Sequence, residues 1–158
     1  MDIVVREATG EDWPAVASLL AELGRPDVRG LEDEGWHGER FADYLARPDT
    51  VALLAEVDGQ VAGFLDLEFR QRLNFRTPQA WIPDLVVSEA QRGRGVGAAL
   101  MARAEELSRE RGCWGMTLES ATWRKDAHRF YLREGYADSA YSFSKSMTGE
   151  PWPPEPKG

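Results

Sequence analysis

The chain is short of cysteine, of histidine, of long apolar runs and of excess positive charge, and each shortage removes a class of function. A single cysteine, Cys113, allows no internal disulfide. It sits between an expected helix end at Gly112 and a strand-like run from Trp114 to Leu118, so it reads as a core thiol. A nucleophilic cysteine would need a basic partner, and nothing marks out His37 or His128 for that role. No metal-ligand set is expected. No apolar run approaches the ~20 residues that a bilayer-crossing helix needs, and Met1 to Thr9 alternates instead of placing a basic region before a long apolar one. A cytoplasmic chain with no membrane partner is the expectation. The net charge of −8 argues against a nucleic-acid backbone as partner, since such binding relies on clustered Lys and Arg. Residues 1–60 hold 14 acidic and 5 basic side chains, and residues 61–158 hold 13 and 14. That asymmetry suits a cationic small molecule in the first part and an anionic cofactor in the second, or simply a solvated acidic surface.

At 158 residues the chain has room for one domain with one sizeable core. Asp2 to Glu7 alternates like a strand, and Thr9-Gly10-Glu11-Asp12 offers N-cap chemistry for a helix starting near Trp13-Pro14. Val16, Leu19, Leu20 and Leu23 form its apolar face, and Gly24 ends it. Residues 26–38 predict a loop, and Glu39 to Ala46 a short helix stopped by Arg47-Pro48-Asp49. Val51 to Val57 and Val61 to Phe69 flank Asp58-Gly59, which supplies the positive φ of a tight hairpin turn. After a polar loop, Ala80 to Val87 predicts a strand containing Pro83, whose missing N–H implies an edge, a bulge or a local break. Val96, Leu100, Ala104 and Leu107 repeat at helical spacing up to Gly112. Trp114 to Glu119 predicts a strand, Lys125 to Glu134 a helix closed by Gly135, and Tyr136 to Met147 one or two last strands. Residues 1–148 are thus expected to form the domain, and the proline-rich residues 149–158 a mobile tail. The order β-α-α-β-β-β-α-β-α-β describes an α/β sandwich with a mixed sheet.

The most informative segment runs from Asp84 to Ala98: a buried-type strand, a connector, three alternating glycines and the start of a helix. Glycines let the backbone approach a ligand closely, and free N–H groups at a helix N-terminus form a cradle for phosphate oxygens. A P-loop is excluded, because no Gly-Lys-Ser/Thr follows. Gly93 to Ala98 also fits the dinucleotide fingerprint G-x-G-x-x-G/A, with Glu119 near the place of the ribose-binding acid. Context opposes that reading: a connector separates strand from glycine, and the remaining residues cannot supply further βαβ repeats.

Arg92-Gly-Arg-Gly-Val-Gly97 resembles the Q/R-x-x-G-x-G/A acetyl-CoA loop of the GNAT N-acetyltransferase superfamily, and Ala127-His-Arg-Phe-Tyr131-Leu-Arg-Glu-Gly135-Tyr136 is similar to its A-x-x-x-Y-x-x-x-G-F/Y segment. The resemblance extends over nearly the whole chain to Met147. It implies the acyl-CoA N-acyltransferase fold, a mixed, mostly antiparallel central sheet flanked by helices. It also implies transfer of acetyl from acetyl-CoA to a primary amine of a small molecule or peptide, by direct attack in a ternary complex. The implied partners are thus acetyl-CoA as co-substrate and an amine acceptor, with no nucleic acid and no membrane; a homodimer is compatible.

By the same resemblance, the backbone of Leu85, Val86 and Val87 pairs with the pantetheine arm, and the amides from Gly93 through Arg94, Gly95, Val96 and Gly97 to Ala98 take the pyrophosphate. Arg92 and Arg94 either add charge near the phosphates or face solvent. Tyr131 matches the tyrosine that protonates the departing CoA thiolate; the alternative is a core aromatic. Many members carry Asn seven residues earlier, where this chain has Arg124, so that contact is not carried over. An amine must be neutral to attack a thioester, so a carboxylate or a water chain must take its proton. Glu119 and Asp84 are the candidates, with Glu68 a weaker third. His37 lies with three acids and Trp36 in the region where the family builds its acceptor pocket. The alternative function is a non-catalytic acyl-CoA sensor using the same loop.

Overall fold

A computed structural model describes residues 1–151, which divide into two compact units, Met1–Leu118 and a second beginning at Glu119. The first unit holds β1 (Ile3–Glu7), α1 (Trp13–Glu22), α2 (Glu34–Ala46), β2 (Thr50–Val57), β3 (Gln60–Arg70), β4 (Gln79–Ile82), β5 (Leu85–Val87), α3 (Val96–Glu110) and β6 (Gly115–Leu118). Its sheet runs β1-β2-β3-β4-β6, with β5 also on β3; only β4 and β6 are parallel.

Helices cover both faces of the centre of this sheet, which explains why β2 and β3 are nearly continuous in apolar residues. On one face Val16 and Leu19 of α1, Phe41 of α2, Ala52 and Leu54 of β2, Phe64 of β3 and Val86 of β5 form a core cluster. Strand alternation sends Leu53 and Leu65, direct partners across β2 and β3, to the other face. There α3 buries Val96, Leu100, Met101 and Ala104. A fully buried leucine such as Leu53 or Leu65 contributes about 1.5–3 kcal/mol relative to exposure. Gly63 makes the approach of α3 possible, because a Cβ there would lie 3.0 Å from both Leu100 Cδ1 and Val96 Cγ1.

The β2–β3 hairpin turns at Asp58 and Gly59, with φ of 50° and 84°, as the Asp-Gly pair requires. Two other elements depart from expectation. α2 begins at Glu34, five residues before Glu39, so Trp36 and His37 lie on a helix and not in a loop. Gly35 and Gly38 read as breakers, yet Gly38 serves close packing: a Cβ there would sit 3.3 Å from Trp13 Cδ1. The strand expected over residues 80–87 is broken at Pro83 and Asp84, which fall between β4 and β5. At this break the carboxylate of Asp66 takes over a ladder position, accepting from the Asp84 N–H at 2.7 Å, while the Asp66 N–H donates to the Asp84 carbonyl at 3.1 Å.

In the second unit α4 (Lys125–Arg133) ends at Gly135, φ 94°, as expected. His128 Nε2 donates to the Ala121 carbonyl at 2.8 Å and ties the preceding loop to this helix, a structural use of that histidine. The strands expected over 136–147 are absent among the described residues. The segment alternates in apolarity but has no ladder partner, and Tyr141 and Phe143 are 90% and 93% exposed. Of the tail expected over 149–158, residues 152–158 lie outside the described residues.

Candidate active site

Among the described residues β5 is paired along one edge only. Ser88 N–H donates to the Ala62 carbonyl at 2.8 Å and Asp66 N–H to the Asp84 carbonyl at 3.1 Å, so even-numbered residues form the bonded pairs between β3 and β5. The backbone groups of Leu85 and Val87 therefore turn to the other edge, where no strand pairs among the described residues. Val86, expected with them as a pantetheine contact, has its backbone directed at Phe64 of β3. An open strand edge is a template for an extended, amide-bearing chain.

The glycine loop follows, with Gly93 and Gly95 at φ 77° and 86°, a conformation that costs other residues about 1–2 kcal/mol. Gly95 is the N-cap of α3. The first bond within the helix runs from Ala99 N–H to the Gly95 carbonyl at 3.0 Å, so the N–H groups of Val96, Gly97 and Ala98 have no helical acceptor. They stand at the positive end of the α3 dipole, the geometry that takes phosphate oxygens. A Cβ built on Gly93 or Gly95 meets nothing within 4 Å, so the loop is open on that side. Arg92 is exposed and donates through Nε to the Val87 carbonyl at 3.2 Å; Arg94 is exposed as well.

Arg25 Nε donates to Asp84 Oδ1 at 2.7 Å, and its Nη2 to the Pro83 carbonyl at 3.3 Å. The Asp66 carboxyl lies against that of Asp84; burial first, and then the charge of Asp84, push it well above the usual carboxylate range. Asp66 borders a cavity of about 340 Å³ that is also lined by Trp13, Leu20, His37, Tyr44 and Phe64. Within the second unit, Tyr131 packs edge-on against Phe130 and Tyr136, at ring separations of 5.3 and 6.3 Å. Burial raises its phenol above its ordinary value, opposed by the charge of Arg124, so the hydroxyl holds its proton at neutral pH. Glu119 is exposed, one residue past the end of β6.

Comparison with known proteins decides the family. The profile of the Acetyltransferase (GNAT) family matches residues 13–136. The chain belongs to this family. It is 36% identical over 143 residues to the aminoalkylphosphonate N-acetyltransferase of Salmonella typhimurium, covering 90% of each chain. It is 27% identical to an aminoglycoside N(6')-acetyltransferase type 1 of Klebsiella aerogenes, covering 87% of this chain and 91% of that one. The crystal structure of a transcriptional regulator from Bacillus halodurans superposes with a TM-score of 0.83 at 24% identity, over 92% of this chain and all of that one, which speaks to the fold alone. The chain is an N-acetyltransferase, and a non-catalytic sensor is not favoured.

In this acetyltransferase the predicted glycine loop and the β5 edge adjoin, joined by the Arg92 to Val87 bond. Asp84, expected as a base, is bound to Arg25 and to Asp66. Asp66 carries no motif in the sequence. The available signal was a lone acid inside the apolar run Ala62-Gly-Phe-Leu-Asp-Leu67, on the same face as Phe64. Glu68 is half-buried, 3.8 Å from Arg47 Nη2. Cys113, expected in the core, is only half-buried, and partial burial pushes its thiol up, away from the reactive thiolate. No helix among the described residues is long and apolar enough to cross a membrane.

Proposed function

We propose that acetyl-CoA is the acetyl donor and that the acceptor is the primary amine of a small molecule, attacked directly while both are bound. The donor supplies an acetyl thioester. The observation that carries the reading is the pairing of an open β5 edge with three orphan amides at the start of α3. Leu85 offers its backbone N–H and carbonyl to the amides of an extended arm, and Val87 its N–H together with a carbonyl shared with Arg92 Nε. Gly93, Gly95, Val96, Gly97 and Ala98 present N–H groups to a pyrophosphate, and Arg92 and Arg94 add positive charge beside it. Relatives that act on an aminoalkylphosphonate and on aminoglycosides support a small-molecule acceptor.

The chemistry asks two things of the protein. A carboxylate takes the amine proton as nitrogen bonds to the acetyl carbon; of the two that the sequence names, Glu119 and Asp84, the second is already engaged by Arg25 and Asp66. Tyr131 gives its phenolic proton to sulfur as the carbon–sulfur bond breaks. A phenol raised by burial suits an acid that must stay protonated until the thiolate forms. Thermal unfolding with and without acetyl-CoA tests the donor: a ligand that binds only the folded state adds about 2.7 kcal/mol at a hundredfold excess over its Kd. Acetyl-CoA is expected to raise Tm and NAD to leave it unchanged; the reverse pattern contradicts the assignment.

A further inference from the structure

The cavity beside Asp66 combines chemistry of both signs. The Asp66 side chain is nine-tenths buried, shares the β3 face with Phe64, and has one carboxyl oxygen occupied by the Asp84 N–H. Tyr44 and Trp13 also line the cavity, and their hydroxyl and indole N–H are buried with no hydrogen-bond partner. A native protein seldom buries such groups unpaired, so they favour a polar occupant here. Arg40 and Arg47 also line the cavity and supply positive charge. Arg47 is committed to Asp49 through two bonds of 3.1 Å. Arg40 has no carboxylate within ion-pair distance among the described residues, and its guanidinium rests 5.5 Å from the Trp36 ring centroid.

We propose that this cavity is the acceptor site and that it selects a small zwitterionic amine, with Asp66 meeting the ammonium group and Arg40 a carboxylate or phosphonate at the other end. The inference rests on the N-acetyltransferase reading and specifies its substrate. The volume, about 340 Å³, lies at the low end of the ~300–1,000 Å³ range of ligand pockets and has room for an amine of one short chain. The same environment prepares the nucleophile. An ammonium brought beside Asp66 leaves water, which lowers its pKa, while burial raises that of the carboxylate. Transfer of the proton from nitrogen to the Asp66 carboxylate gives a neutral amine and a carboxylic acid with no change in total charge, with desolvation favouring this neutral pair and the attraction of the ion pair opposing it. Asp66 then acts as the base, and Asp84, held by Arg25, as its positioning residue.

The test is titration calorimetry on the whole chain with 2-aminoethylphosphonate, β-alanine and propylamine, followed by acetylation rates for the same three. Both zwitterions, or one if the anion site discriminates, are expected to bind at least tenfold tighter than propylamine, about 1.4 kcal/mol. Arg40→Ala should abolish that difference. Asp66→Asn keeps an acceptor for the Asp84 N–H and removes a buried ionisable group, so it should fold with an equal or higher Tm. It should nevertheless weaken amine binding tenfold or more and lower acetylation at least a hundredfold, with acetyl-CoA affinity intact. Equal binding of propylamine and both zwitterions, or full acetylation by Asp66→Asn, overturns the inference. Loss of acetyl-CoA binding in the unaltered protein would instead strike the donor assignment, and the amine titrations would still decide the cavity's occupant.

Discussion

Tyr131→Phe should lower acetyl transfer by about 10²–10⁴-fold, the usual contribution of a general acid, while acetyl-CoA affinity changes little. The substitution deletes one hydroxyl and keeps the ring, so the edge-on contacts with Phe130 and Tyr136 persist. Folding should therefore be nearly unaffected. Burial raises the Tyr131 phenol, so the proton it would donate is in place throughout the neutral range. Steady-state rates with an identified acceptor, beside titration calorimetry with acetyl-CoA, separate the two effects. A variant with unchanged turnover would make Tyr131 a packing residue and leave thiolate protonation to another group.

Gly95→Val should reduce acetyl-CoA affinity by tenfold to several hundredfold. Each charge-assisted hydrogen bond is worth about 1.5–3 kcal/mol, and the loop offers several amides in series. Valine at φ 86° is strained, and relief of that strain rotates the N–H groups that follow out of line. The side chain also enters the open space over the loop, where nothing lies within 4 Å of an added Cβ. The strain of about 1–2 kcal/mol predicts a fall in Tm of only ~2–8 °C in a domain of this size. Calorimetry on the folded variant checks the expectation; unchanged affinity would reduce the loop to an ordinary helix start.

Features fixed by short-range chemistry were legible in the sequence. Asp58-Gly59 set the hairpin, Gly95 and Gly112 bracketed α3, and Gly135 closed α4, because positive φ is a local demand that glycine meets. Pro83 announced a break, though not that Asp66 would supply the missing ladder acceptor. Features that depend on distant partners were not legible. Gly38 reads as a loop residue until Trp13 is seen against it. Tyr136 to Met147 alternates like a strand, yet alternation without a paired edge forms no ladder among the described residues. Asp84 stands out in the sequence for its place beside Pro83, but its engagement by Arg25, 59 positions earlier, does not follow from spacing. Asp66 is not legible as a site residue, because an acid within an apolar strand carries no motif and only the fold reveals the cavity beside it.

Family and fold leave one step that binding measurements do not reach, the formation of the amide. The most direct measurement incubates the protein with acetyl-CoA labelled in the acetyl group and a primary amine, then follows free thiol and the labelled product by mass spectrometry. The account predicts one equivalent of thiol for each labelled N-acetyl amide, and none when the amine is omitted. Tight binding of acetyl-CoA with no amide from any amine in a broad panel would contradict it.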